Sequence, residues 1–207
     1  MRQETLLKII GLMRTRLDEG LTILDISKKL KIGYRPAYMH IESMEKEEII
    51  KIDKVGSSKQ CSLNLENVKA RHLLAEVDIA RKEKLYQKNP KLKSVIEGLI
   101  SKVTEKFISE IHSIALFGSY AKETATKQSD IDLLFIVSDI KDKNLREAIE
   151  RESASYQYSH NMKISPLITD IAEFQKMLKA KESNVGKETR EYGISLYGHE
   201  IFWRIIA

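Results

Sequence analysis

The sequence predicts an α/β (α+β) protein with two modules: helices closed by a hairpin, then a domain that combines buried strands with helices. Three observations lead to this fold class. Apolar residues recur at helical spacing near the N-terminus. Two strand-like segments then flank a turn rich in Gly, Ser and Lys at residues 54–59. Farther along, the wholly apolar segments 114–117 and 133–137 lie between amphipathic stretches and have the length of buried strands.

The composition is that of a globular chain without membrane segments. The chain has 207 residues, of which 42% are hydrophobic and 31% charged, and this length suits two small domains. The longest apolar runs are far shorter than a membrane span. Glu4 and Lys8 interrupt the N-terminal apolar pattern, so we expect no signal peptide and a cytoplasmic location. Cys61, the single cysteine, excludes an internal disulfide and any cysteine-based metal cage.

Residues 1–66 predict three helices and a β-hairpin. The helices are expected at residues 3–17, from a capping Thr22 to about Leu30, and at about 35–48, with strands at 49–53 and 60–65. Gly33 permits the turn into the third helix. Helix, helix, turn, helix and hairpin is the order of a winged helix, and the whole stretch resembles that family.

The winged-helix resemblance implies a docking surface at residues 34–59. Residues 34–46 would be the recognition helix and residues 54–59 the tip of the wing. The candidate contacts to DNA are Tyr34, Arg35, Tyr38, His40, Lys54 and Lys59. Winged helices also dock proteins and form homodimers, and the acidic far end of this helix would repel phosphates. Binding to DNA, to a protein partner and to a second copy of the chain therefore all stay open.

A basic connector separates this module from the rest of the chain. Residues 67–93 hold eight basic and three acidic side chains, which suits either a polyanion or a solvated helix face. Pro90 ends the connector helix. A strongly apolar face then repeats from Leu92 to Ile111, predicting a core helix. The expected domains are 1–66 (winged helix), 67–90 (connector) and 91–207.

Candidate phosphate-binding residues follow the first buried strand. Residues 114–117 run directly into Gly118 and Ser119. Glycine lets the backbone approach a triphosphate where a Cβ would intrude. Ser119 adds a hydroxyl at the start of a helix, where free N–H groups favour anions. Lys122, about one turn further on, can neutralise phosphate charge. A Gly-Ser turn with a capping serine is also an ordinary structural feature, so the assignment depends on the next strand.

Two carboxylates introduce that next strand. In a strand, residues i and i+2 point to the same side, so Asp130 and Asp132 share one face while Ile131 turns to the apolar side. Two carboxylates on one face raise each other's pKa unless a cation lies between them. Mg²⁺ takes oxygen ligands and bridges to substrate phosphates. A pair of such ions can hold the attacking and leaving oxygens of a phosphoryl displacement.

These segments resemble the polymerase-beta superfamily of nucleotidyltransferases over residues 92–207. The resemblance rests on LFGSYAK at 116–122, SDIDLL at 129–134 and the ten residues between Ser119 and Asp130. It implies a mixed central sheet and nucleotidyl transfer from a nucleoside triphosphate, with ATP the expected donor and Mg²⁺ or Mn²⁺ required. Asp130 and Asp132 would be catalytic metal ligands, and Gly118, Ser119 and Lys122 would contact the triphosphate. Similar stand-alone domains serve as antitoxins, so a toxin-like protein is one expected partner.

The third acid of that family has no clear counterpart. It is expected on a neighbouring strand, here residues 162–168, where the matching position is Ser165. Asp170 would substitute only if the register shifted, and a helix cap is the interpretation we favour for it. A missing acid would remove a base or weaken one metal site. An alternative function is therefore a DNA-binding regulator, or an antitoxin-like protein, that binds nucleotide without turnover.

Overall fold

The computed structural model describes residues 3–56 and 58–207. The chain divides into two compact units, one through Val77 and one from Asp78 to Ile206. This boundary falls inside helix α4 (Val68–Lys88), within the stretch that the sequence analysis treated as a connector. The mixture of helices with a mixed sheet, described below, confirms the predicted α/β class.

The first unit contains three helices and a hairpin, in the expected order. Its elements are α1 (Gln3–Arg14), α2 (Ile23–Leu30), α3 (Tyr34–Lys46), β1 (Ile50–Val55) and β2 (Ser58–Leu63). Thr22 caps α2 as predicted, since its hydroxyl accepts a hydrogen bond from the Asp25 N–H at 3.1 Å. Both hairpin strands extend into the turn expected at residues 54–59. Lys54 therefore pairs with Lys59. The predicted wing tip includes Ser57, which lies outside the described residues.

Helix α3 has one buried and one exposed face. Ala37, Ile41 and Met44 are buried, whereas the side chains of the predicted DNA contacts Tyr34 and Tyr38 are exposed. Arg35 and Met39 are also exposed. His40 differs from the other candidate contacts, because it is only half-exposed and its buried Nδ1 has no hydrogen-bond partner among residues 3–56 and 58–207. Burial also lowers the pKa of His40, so its ring is poorly suited to a phosphate contact.

The second unit surrounds a four-stranded sheet. After the C-terminal part of α4 it comprises α5 (Pro90–Phe107), β3 (Ile111–Phe117), α6 (Gly118–Ala121), β4 (Ile131–Val137), α7 (Lys143–His160), β5 (Ile164–Asp170), α8 (Ile171–Lys179), α9 (Val185–Tyr192), β6 (Ile194–Tyr197) and α10 (His199–Ile206). The strand order is β5-β4-β3-β6. β3 is antiparallel to both neighbours, whereas β4 and β5 are parallel, so the expected mixed sheet is confirmed.

The core helix ends earlier than the apolar pattern suggested. Helix α5 stops at Phe107, and Ile108 is 66% exposed. Ile111 belongs to β3, where it pairs with Val137 of β4. A three-residue turn therefore separates the helix from the strand, and the spacing of Ile108 and Ile111 imitated one further helical turn. The prediction was wrong at these two positions, because an apolar residue at the start of a buried strand fits a helical repeat by chance.

Strand β4 is buried on both faces except at its start. Ile131, Leu133 and Phe135 belong to the core that also contains the apolar face of α5. Leu134 and Ile136 alternate with them and are also fully buried. Asp132 lies on the same face of β4 as Leu134 and Ile136, and it is only half-buried. The sheet therefore presents one polar end, where β4 begins and β3 ends.

The last elements of the chain are a short strand and a helix. Residues 194–197 form β6, whereas residues 201–203 lie in α10. None of the helices formed by residues 3–56 and 58–207 combines the length and apolar character needed to cross a membrane.

Candidate active site

The turn after β3 brings the backbone of Gly118 against the side chain of Asp132. Gly118 has a φ of 67°, a left-handed conformation that favours glycine. A Cβ built on it would lie 2.1 Å from Oδ2 of Asp132. The contact arises because β3 and β4 are antiparallel and Phe117 pairs with Asp132. Two residues fourteen positions apart in the sequence are thus in direct contact, and any larger residue at position 118 would force the Asp132 side chain to move.

Asp130 and Asp132 stand on the same side of the sheet end. Ile131 between them is fully buried in the opposite core, as the strand alternation predicted. Burial raises the pKa of the Asp132 carboxyl, and the negative charges of Asp130 and Glu188 raise it further. Lys163 opposes this shift. The two acids therefore form a cluster of like charge at the polar end of the sheet.

Strand β5 supplies the neighbours of this acid pair. Ser165 pairs in parallel register with Asp132, so it occupies the position where the third acid was expected. Its hydroxyl donates a hydrogen bond to Oδ2 of Asp130 at 3.2 Å. Nζ of Lys163 lies 2.5 Å from the same oxygen. Asp170 caps α8 by accepting from the Glu173 N–H at 2.8 Å, which confirms the favoured interpretation of that residue.

The predicted phosphate contacts lie on the short helix α6 and just after it. Ser119 is half-exposed, and its hydroxyl makes no hydrogen bond with any residue of 3–56 or 58–207. Lys122 is not an isolated cation, because its Nζ lies 2.8 Å from Oε1 of Glu188 and 5.4 Å from the ring centre of Tyr192. The hydrogen bond that the Lys122 ammonium donates to Glu188 raises the pKa of this ammonium. Lys122 therefore lies at the site in an ion pair with Glu188.

Three residues near this site were missed by the sequence analysis. Lys163 was detectable, since it lies two positions before Ser165 and so faces the same side of β5. Glu188 gave no signal, because only the packing of α9 beside α6 brings it to Lys122. Arg81 donates hydrogen bonds to the carbonyls of Tyr192 and Gly193, both at 2.7 Å, and ties the end of α9 in place. In the sequence, Arg81 is one of several basic residues in a helix, and the pattern does not indicate this role.

The acid pair suits a hard divalent cation. Its carboxylate oxygens are the donors that Mg²⁺ and Mn²⁺ prefer, and burial together with the charge of Asp130 raises the pKa of Asp132. Across residues 3–56 and 58–207, no group of three or more His, Cys, Asp or Glu side chains is placed to hold a metal. Two protein carboxylates would leave the other positions to water and phosphate oxygens, the usual arrangement for Mg²⁺.

Comparison with known proteins finds three similarities. Residues 96–192 match the family model described as "Nucleotidyltransferase domain", a range that spans the Gly118 turn and both acids. A protein of Methanocaldococcus jannaschii named "Putative protein adenylyltransferase" is 29% identical over 115 residues, which cover 55% of this chain and 76% of that protein. A chain in a crystal structure of a toxin–antitoxin with AMP-PNP is 19% identical, with a TM-score of 0.35. That similarity covers 53% of this chain and 81% of the other.

The fold, the polar end of the sheet and the matched family together define a class of protein. Residues 96–192 are similar to a nucleotidyltransferase domain. The protein is an enzyme of the nucleotidyltransferase type.

Proposed function

We propose that this enzyme transfers AMP from ATP to a hydroxyl group, using Mg²⁺ or Mn²⁺ bound by Asp130 and Asp132. The observation that supports this most strongly is the contact between Gly118 and Asp132. A Cβ at residue 118 would overlap Oδ2 of Asp132, so the glycine lets the backbone of the turn lie against this carboxylate. The hydroxyl of Ser119 and the ammonium of Lys122 lie on the same turn and supply further groups for phosphate oxygens.

The proposed reaction is an in-line displacement at phosphorus. The acceptor hydroxyl oxygen forms a bond to the α-phosphorus of ATP, and the bond from that phosphorus to the α,β-bridging oxygen breaks. Pyrophosphate leaves with the electron pair, and the hydroxyl proton passes to solvent. A divalent cation, when bound, neutralises charge on the phosphates. Asp130 and Asp132 hold that cation, while Gly118, Ser119 and Lys122 orient the triphosphate.

We propose a protein hydroxyl as the acceptor. The name of the Methanocaldococcus jannaschii relative, a protein adenylyltransferase, supports this choice. A toxin-like partner protein is one acceptor of this kind. We also propose a cytoplasmic location, where ATP and such partners are available.

Radiolabelled ATP tests the transfer directly. The purified protein is incubated with Mg²⁺ or Mn²⁺, an extract of host proteins and ATP labelled at the α-phosphate. We expect a labelled band that is absent when the label is on the γ-phosphate and absent with Asp132→Asn. Parallel reactions with α-labelled GTP, CTP and UTP define the donor. Equal labelling by wild type and Asp132→Asn would contradict the assignment of the site.

A second candidate function is nucleotide binding without turnover. Ser165 favours it, because this residue pairs with Asp132 at the place of a third acid and cannot act as a base at neutral pH. In that case a nontransferable ATP analogue would bind with a dependence on Gly118 and Asp132, whereas no labelled product would form from any of the four triphosphates. Both functions therefore predict nucleotide binding at this site, but only the first predicts a labelled product.

We further propose that residues 34–59 bind DNA. The order of helices and hairpin in the first unit supports a winged helix, and Tyr34, Arg35 and Tyr38 are exposed on one face of α3. Gel-shift assays with duplex DNA at rising salt test this, since release of counterions from phosphates makes binding weaken steeply with salt. Arg35→Gln should weaken the shift. Absence of any shift would instead favour a protein-docking or homodimer surface, which light scattering can distinguish.

A further inference from the structure

Strand β5 places a positive charge against the acid pair. Lys163 and Ser165 are two positions apart, so both side chains lie on the same face of the strand. Both reach the same atom, Oδ2 of Asp130, at 2.5 and 3.2 Å. The parallel register of β4 and β5 fixes this arrangement, because it sets Ser165 directly beside Asp132. One oxygen of Asp130 thus has two partners from β5.

The two acids of the pair have different surroundings. Asp130 is bound by Lys163 and Ser165. For Asp132, no hydrogen bond or ion pair is seen with any residue in the described parts of the chain, 3–56 and 58–207, and burial raises its pKa. The formal charge of the pair with Lys163 is one negative, whereas a third acid in place of Ser165 would make it two negative. The charge available to attract cations is therefore smaller than three acids would provide.

We propose that Lys163 is a tethered cation that competes with divalent ions for Asp130, so that the acid pair binds a single divalent ion. This inference rests on the proposed metal-dependent function and adds a limit of one bound divalent ion. Asp132 supplies the open carboxylate, and Lys163 takes the share of charge that a second ion would neutralise. The cation on β5 is a positioning group for the metal site and does not contact the reacting atoms.

Manganese titration of the metal-free protein tests this limit without any measurement of activity. The electron paramagnetic resonance signal of free Mn²⁺ gives the number of bound ions and their dissociation constant. We expect one ion per chain in the wild type and none in Asp132→Asn. Lys163→Gln should bind Mn²⁺ roughly three- to tenfold more tightly, the effect of one partly screened charge at this distance. Ser165→Asp should add a second ion.

Two further variants serve as controls. Lys106→Gln removes the same charge from the C-terminal end of α5, before the start of β3 and so at the opposite end of that strand from Gly118. It should bind Mn²⁺ like the wild type. Lys163→Arg keeps the charge and should also resemble the wild type. Two ions per wild-type chain, or equal affinities for Lys163→Gln and Lys106→Gln, would overturn the proposed competition and leave the metal-dependent function intact. Absence of Mn²⁺ binding in all variants would refute both.

Discussion

Strands β4 and β5 lie side by side, parallel and in register, but their polar ends carry opposite chemistry. β4 and the residue before it present Asp130 and Asp132, whereas β5 and the residue before it present Lys163 and Ser165. The two strands begin at the same end of the sheet and run in the same direction, and the polar side chains at this end carry different charges. The comparison shows that the fold sets where the groups meet, while a few positions on β5 set the charge of the site.

Removal of the open acid of β4 should have the largest effect. Asp132→Asn keeps the shape of the side chain and loses the charge that holds the metal. Because a bound metal contributes several kcal/mol to stabilising the transition state, we expect the transfer rate to fall about 10³-fold. Release of pyrophosphate at saturating ATP measures this. Asp139→Asn, in the exposed turn after β4, is the matched control and should retain the wild-type rate.

The contact between the turn after β3 and Asp132 of β4 can also be disrupted by Gly118→Ala. A new Cβ would strain a φ of 67° and collide with Asp132. We expect a loss of about 2–4 kcal/mol in the free energy of unfolding, which combines backbone strain and overpacking. Gly56→Ala is a close control, because Gly56 has a φ of 60° and open space around its Cβ position.

The control isolates the collision from the backbone strain. Gly56→Ala should lose about 1 kcal/mol, since only the left-handed conformation opposes it. The double variant Gly118→Ala with Asp132→Gly should recover most of the additional loss, since it removes the atoms that the new Cβ meets. Equal destabilisation by the two single substitutions in urea unfolding would show that residue 118 does not press against Asp132.

The pH dependence of stability tests the raised pKa of Asp132 at the start of β4. Burial and the charge of Asp130 raise the pKa of Asp132 in the folded chain above 3.8. The folded state then holds this proton more strongly than the unfolded state does, so stability falls as pH rises from about 4 through the folded pKa. In EDTA, Asp132→Asn should therefore melt at a higher temperature than the wild type at pH 7. The two melting temperatures should converge near pH 3, and a lower value for the variant at pH 7 would contradict the shift.

The smallest effect is expected away from both strands, at the pair formed by Lys122 and Glu188. Both side chains are about one-third exposed, so the pair contributes little to stability. Glu188→Gln removes an acid that competes with phosphate for Lys122, and KM for ATP should fall about two- to fivefold with kcat unchanged. Exposed Glu182→Gln should leave both constants unaltered. An increase in KM would show that Glu188 orients Lys122 for the nucleotide instead.

The sequence was sufficient to predict the residues of β4 and the turn before it. Alternation alone placed Asp130 and Asp132 on one face, and the fully buried Ile131 agrees with it. The position of Ser165 beside Asp132 also followed from the resemblance, and the register confirms it. These features depend on neighbours in one strand or on a fixed spacing, which a sequence displays directly.

Features that depend on packing between distant segments were not predictable in this way. The contact of Gly118 with Asp132 requires the antiparallel register of β3 and β4, and the pairing of Glu188 with Lys122 requires the position of α9. Ile108 and Ile111 misled the helix prediction because the repeat continued past the true end of α5. Lys163 was overlooked although its spacing from Ser165 was visible, since a lysine in an exposed position rarely indicates a site.

The most direct test of the whole account is a crystal structure of the protein with Mn²⁺ and a nontransferable ATP analogue. Anomalous diffraction from manganese locates the ion independently of any assumption about the site. We expect a manganese peak in coordination contact with Asp130 and Asp132, with the triphosphate lying against Gly118 and Ser119. A triphosphate bound elsewhere, or a manganese ion away from both carboxylates, would contradict it.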